Sequence, residues 1–113
     1  MINGYGDGRS RIAGEVFEGG VLVFPEATVS WPITRYEDIS IGSLQPIVRQ
    51  KPLVEILLIG CGPKFLIPPK ILREELREAG IGLEWMDTGA ACRTFNVLLI
   101  EERCVAAALI AVN

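Results

Sequence analysis

Histidine is absent from all 113 residues. With it go the usual general acid–base group, the usual metal ligand and any Ser-His or Cys-His nucleophile pair. Cysteine is sparse: Cys61, Cys92 and Cys104 make 3, without CxxC spacing. That argues against a zinc knuckle, a dithiol redox centre or a disulfide framework and favours reduced thiols. No apolar run is long; the longest uncharged one, Val105 to Val112, is far short of the roughly 20 residues a membrane helix needs. An excess of positive charge is also missing. The 11 Lys and Arg against 14 Asp and Glu give a net charge of −3, and they are scattered, so nucleic acid is not an expected partner. The opening residues lack the signature of a signal or transit peptide. The expectation is a cytoplasmic protein with no transmembrane segment, no metal and no cofactor.

What is present is aliphatic. Half of the chain is apolar and 22% is charged, a balance that favours a packed core over disorder. The length suits one domain, expected over residues 10–113, with residues 1–9, rich in Gly, Asn and Asp, as a flexible end. From Arg11 to Pro32 the pattern breaks into short β-rich pieces, Ile12–Phe17, Val21–Phe24 and Ala27–Trp31, separated by Glu18-Gly19-Gly20 and Pro25-Glu26; antiparallel hairpins follow. Pro32 to Lys51 suggests a short strand and a helical turn. Leu53–Ile59 reads as a strand covered on both faces. A helix beginning at Pro68-Pro69, with Leu72, Leu76 and Ala79 as its buried stripe, ends at Gly80. Leu83–Met86 is a second strand, a helix capped by Asp87 or Thr88 runs to about Glu101, and Cys104–Ile110 is a third strand. The fold class is therefore α/β: a mixed sheet with an antiparallel, β-rich amino-terminal half and a carboxy-terminal βαβαβ unit, helices packed on the sheet. Leu83–Met86 is expected as the middle of the three parallel strands.

In such a sheet a ligand crevice lies beyond the carboxyl ends of the strands. Gly60, Cys61 and Gly62 meet it from one strand; Asp87, Thr88, Cys92 and Arg93 meet it from the helix N-terminus that follows the next. Free backbone N–H groups there could hold a small anion. The plainer account is that the glycines end a strand, that Asp87 and Thr88 cap a helix, and that Cys92 is a small buried hydrophobe. Glu74, Glu75 and Glu78 interleaved with Arg73 and Arg77 read as a solvated helix face. Trp31, between Ser30 and Pro32, is either a core plug or an exposed anchor for a partner.

Glu55 to Gly62, Pro68-Pro69 with Leu72, Gly80 to Thr88 and Ala91 to Leu98 together resemble the small-domain family of mitochondrial complex I assembly factor three and its bacterial relatives. The segment Asp87-Thr88, Ala91-Cys92 and Thr94-Phe95-Asn96-Val97 carries the resemblance most specifically. It implies an α/β domain that binds other proteins during assembly of NADH dehydrogenase, with no catalytic residues to carry over, and a bacterial member acting in the cytoplasm. The leading expectation is thus a non-catalytic protein-interaction or assembly-factor domain that uses a patch around Trp31 or the sheet edge. A small-molecule- or anion-binding domain or enzyme built on the crevice is the alternative, and a homo-oligomer formed through the sheet edge or an aliphatic face is a third.

Overall fold

Two residue pairs suited to tight turns shape the first part of the chain. Asp7-Gly8 and Ala13-Gly14 all have positive φ, between 50° and 84°, the conformation that two-residue hairpin turns demand. They connect β1 (Ile2–Gly6), β2 (Arg9–Ile12) and β3 (Glu15–Glu18) into an antiparallel sheet of order β1-β2-β3. This is a computed structural model, and it describes residues 1–113. Residues 1–9, expected to be flexible, instead supply β1 and the start of β2. Asp-Gly served as a hairpin turn, not as a break, and the expected strand Ile12–Phe17 is split by its own turn at Ala13-Gly14.

The remaining strands form a sheet of order β5-β4-β8-β6-β7, with β4 (Gly20–Val23), β5 (Thr28–Trp31), β6 (Ile56–Gly60), β7 (Gly82–Met86) and β8 (Val105–Leu109). Strands β6, β7 and β8 are parallel, while β4 runs antiparallel to β8 and to β5. The carboxy-terminal βαβαβ unit and the mixed sheet are as the pattern implied. The Pro32–Lys51 stretch contains no strand, only two 3-10 turns and the short α1 (Gln45–Val48). The middle parallel strand is β6, and β7 lies at the sheet edge.

That order decides where the helices go. The first crossover moves outward from β6 to β7 and the second returns past β6 to β8. Because both turn the same way, α2 (Lys70–Glu78) and α3 (Thr88–Ile100) cover opposite faces. Side chains alternate accordingly. Leu57, Ile59, Ala106, Ala108, Leu83 and Trp85 pack with Leu72 and Leu76 of α2 and with Trp31, Leu44 and Ile47. Leu58, Val21, Val23, Ala107 and Leu109 pack with Ala91, Cys92 and Phe95 of α3 and with Ile2 and Ile12 from the small sheet. Asn96 of α3 helps to moor the small sheet. Asn96 accepts from the Ile2 N–H and donates to the Ile2 carbonyl, both at 2.8 Å, completing a strand edge that would otherwise lack a partner. The Gly8 N–H donates to the Val112 carbonyl at 2.8 Å, tying the first hairpin to the residues after β8. No helix is long and apolar enough to cross a membrane.

Candidate functional site

The carboxyl end of β6 and the start of α3 meet closely because Gly60 has no side chain. A Cβ there would lie 2.8 Å from the Thr88 Cα. Thr88 is 1% exposed, and its groups join three segments. Its N–H donates to the Gly62 carbonyl at 2.8 Å. Its hydroxyl accepts from the Gly62 N–H at 3.1 Å and donates to the Ile110 carbonyl at 2.8 Å. Gly62 supports this with a φ of 122°, which L-residues rarely adopt. Asp87 caps the helix, its carboxylate accepting from the Ala90 N–H at 2.9 Å. Gly60, Cys61, Gly62, Asp87 and Thr88 therefore stand together, and the polar groups at their junction are engaged with one another.

The thiols lie in different surroundings. Cys61 is buried, with its Sγ 3.4 Å from the Lys64 carbonyl. Cys92 faces the core, and burial pushes its pKa up from 9.0 to about 11, against the opposing pull of Arg93. A thiol so disposed is almost wholly protonated at neutral pH and is a poor nucleophile. Arg93 points outward, its Nη1 donating to the Tyr5 hydroxyl at 3.4 Å. Tyr5 in turn lies over Gly89, where a Cβ would meet its hydroxyl at 2.5 Å. The first hairpin thus roofs the helix N-terminus with an aromatic ring. Its Asp7-Gly8 turn, read as a mobile end, was the available signal. No group of three or more Cys, Asp and Glu side chains converges.

Cys92 yields a pH test. The unfolded thiol ionises near 9.0, while the folded one holds its proton to about 11. Its contribution to stability is thus complete below about pH 9 and lost as pH rises to about 11. Replacing Cys92 by Ala is expected to flatten that part of the alkaline decline in urea-unfolding stability. In native protein at pH 8, Cys92 should alkylate at least about tenfold more slowly than half-buried Cys104. Equal rates would remove the protonated, buried account.

Trp31 does not present itself to a partner. It is 4% exposed and its Nε1–H donates to the Ser43 carbonyl at 2.9 Å; the Pro32–Lys51 segment, too irregular to place from pattern alone, folds over it. The residues that do reach out are others. Phe65 (59%), Ile67 (81%) and Ile71 (67%) are exposed within one short stretch between β6 and the first turn of α2. The stretch is held down by the Trp85 Nε1–H, which donates to the Leu66 carbonyl at 2.7 Å. The sequence carried a signal for this: Pro68-Pro69 prevents Phe65-Leu66-Ile67 from continuing as strand or helix, leaving large side chains with no regular element to bury them.

A cavity of about 510 Å³ opens at the opposite end of the sheet, bounded by Phe24, Pro25, Val29, Lys51, Pro52 and Cys104. It shares no wall with the Gly60–Thr88 junction.

Comparison with known proteins places this fold among relatives. An uncharacterised protein of Rhodobacter capsulatus is 42% identical over 96% of this chain and 82% of its own length. The Xenopus tropicalis protein named NADH dehydrogenase (ubiquinone) 1 alpha subcomplex assembly factor 3 is 39% identical over 88% of this chain. The match covers 54% of the frog protein, so the chain spans about half the length of that relative. The crystal structure of a Bartonella henselae protein, titled an outer membrane protein, superposes with a TM-score of 0.91. It is 38% identical, over 99% of this chain and 94% of that one. A family model described as a protein of unknown function (DUF498/DUF598) matches residues 2–110. The chain, similar along most of its length to complex I assembly factor 3, belongs to the DUF498/DUF598 family.

Proposed function

We propose that this chain is a non-catalytic protein-binding domain that serves as an assembly factor, with subunits of respiratory complex I as its partners. One observation carries the reading: Phe65, Ile67 and Ile71 stand in water on a stretch anchored at Trp85. Exposed apolar clusters of this kind lower the solubility of a free domain and gain by being covered. The name of the frog relative supports the choice of process. Saturation of the polar groups around Thr88 and the raised pKa of Cys92 weigh against chemistry at the crevice.

The test is crosslinking in a cell that makes both this protein and complex I, followed by identification of stoichiometric partners. The expected result is one or more complex I subunits joined near Phe65 or Ile67. The pair of substitutions Phe65→Ser and Ile67→Ser should lower the yield at least about tenfold, since exposed apolar anchors of an interface are each worth roughly 1–2 kcal/mol. Full yield from the double variant, or no complex I subunit at all, would count decisively against the reading. The second reading is anion binding at the crevice of Gly60, Cys61, Gly62, Asp87, Thr88, Cys92 and Arg93. It is favoured by the pairing of Arg93 with Tyr5 above the helix N-terminus. Titration with inorganic phosphate, followed through the Gly89 and Arg93 amide signals, tests it; unmoved signals at millimolar phosphate end it.

A further inference from the structure

Four strands stand at the edges of the two sheets, and three of them are guarded. Against β1 lies α3, whose Asn96 takes both backbone groups of Ile2. In β3 two of the four residues are Glu15 and Glu18, and charge on an edge discourages pairing. On β7 Glu84 is exposed, and the Leu83 carbonyl is taken by Arg73 Nη1 at 2.9 Å. The edge of β5 has no such guard. Thr28, Val29, Ser30 and Trp31 include no charge; Val29 is 43% exposed, and Ser30 is exposed as well.

Which groups of β5 face outward follows from its turn. The Phe24 N–H donates to the Ala27 carbonyl at 2.7 Å, so these two residues form a bonded pair, and bonded pairs alternate along an antiparallel ladder. Leu22 with Val29 is the next. Thr28 and Ser30, opposite Val23 and Val21, therefore turn their N–H and C=O groups away from β4. No other group of the chain meets them. The side chains divide in the same way. Val29 shares a face with Leu22 and borders the cavity of about 510 Å³, while Thr28 and Ser30 lie on the other face.

We propose that β5 pairs with β5 of a second copy of this chain, antiparallel about a two-fold axis through Val29. In antiparallel pairing outward groups must meet outward groups. The register that achieves this within the strand sets Thr28 opposite Ser30 of the second copy and Ser30 opposite its Thr28, giving four backbone bonds. Val29 then faces Val29 across the axis. Hydroxyl with hydroxyl and β-branched with β-branched are both pairs that favour a sheet, so the sequence of β5 is complementary to itself. A second Val29 laid against the first also removes apolar cavity wall from water. Nearby charge does not oppose the contact. Glu26 lines one hollow with Lys51 and another with Glu15. The two Glu26 residues stand about 20 Å apart at the rise of a strand, beyond the roughly 8 Å over which exposed charges act at physiological salt. Pro32, without an N–H, ends the ladder. So short a seam falls below the roughly 1,200–2,000 Å² of a stable interface, and the dimer is weak, half formed at about 10–100 μM. This goes beyond the assembly-factor reading and leaves its surface free, because β7, Trp85 and the Phe65–Ile67 stretch lie at the opposite end of the sheet. The dimer displays that stretch twice, and a partner with two sites gains from both.

Sedimentation equilibrium of the intact protein from about 10 μM to about 1 mM is expected to show monomer passing to dimer. No larger species should form, because the pairing consumes the β5 edge of each copy. Over the same range deuterium exchange of the Thr28 and Ser30 amides should slow at least about threefold, with no comparable change in β1, β3 or β7. Val29→Lys sets like charges face to face and should weaken the dimer at least about tenfold. Val29→Glu should do the same, and an equal mixture of the two variants should recover the dimer. Ser30→Pro removes an outward N–H but no bond to β4, and should leave a monomer. Unchanged amide spectra away from β5 check the fold of each variant. A monomer at about 1 mM, a dimer indifferent to Val29→Lys, no recovery on mixing, or protection on another strand would each overturn the inference. Phe65-dependent crosslinks to complex I subunits from a protein that stays monomeric leave the assembly-factor reading standing without this one. A β5 dimer that yields no such crosslinks does the reverse.

Discussion

Phe95→Ala is expected to lower the unfolding free energy by about 3–5 kcal/mol, the range for emptying a buried aromatic site. Phe95 is fully buried and lies where three elements converge. It belongs to α3, packs among Leu58, Ala107 and Leu109 of the sheet, and shares the cluster with Ile2 and Ile12 of the small sheet. Against a total stability of about 5–15 kcal/mol for a domain of this class, the loss is roughly a fifth or more of what holds the fold. Urea unfolding followed by the fluorescence of Trp31 and Trp85 measures it directly, with Phe95→Leu as the milder control. A loss under about 1 kcal/mol would mean that α3 and the small sheet do not depend on this contact.

Gly60→Ala should cost about 2–3 kcal/mol, the upper range for overpacking. The added Cβ would stand 2.8 Å from the Thr88 Cα and 3.0 Å from Leu109 Cδ2. A flexible side chain could yield, but Thr88 is held by its bonds to Gly62 and Ile110. The start of α3 must shift or the end of β6 must bend, and either movement disturbs the stitch that closes the crevice. Thermal unfolding and the amide signals of Gly62 and Thr88 report the two effects together. Wild-type stability with unmoved signals would show that the helix start slides freely on the strand.

The parallel unit was readable because its signals agree with one another: aliphatic runs end at glycine, helices carry a buried stripe, and Asp87 stands at a cap. The amino-terminal sheet was misread because Asn-Gly-Tyr-Gly-Asp-Gly has little apolar content, and its stability is borrowed. Asn96, ninety-four positions away from Ile2, supplies the missing bonds, and no local pattern announces such a partner. Strand order was misjudged for a related reason. Pattern identifies three strands, but which lies in the middle depends on whether the helices share a face, and both α2 and α3 have one apolar side. At the crevice, the convergence of Gly60 with Thr88 followed from topology. That Thr88 would bond to Ile110, and that Tyr5 would lie over Gly89, required contacts across the whole chain. Trp31 was ambiguous because a lone tryptophan between Ser30 and Pro32 fits a core or a surface equally; the burial is made by the irregular residues after Pro32.

The five strands separate two collections of side chains that share little except backbone. Leu72 and Leu76 belong to one, Phe95 and Ala91 to the other. The molecule is in this sense a two-room house with one common wall. The room under α2 lies next to exposed Ile67 and Ile71, and the room under α3 has the amino-terminal hairpins as its outer door, so the costs of two substitutions made one in each room should add.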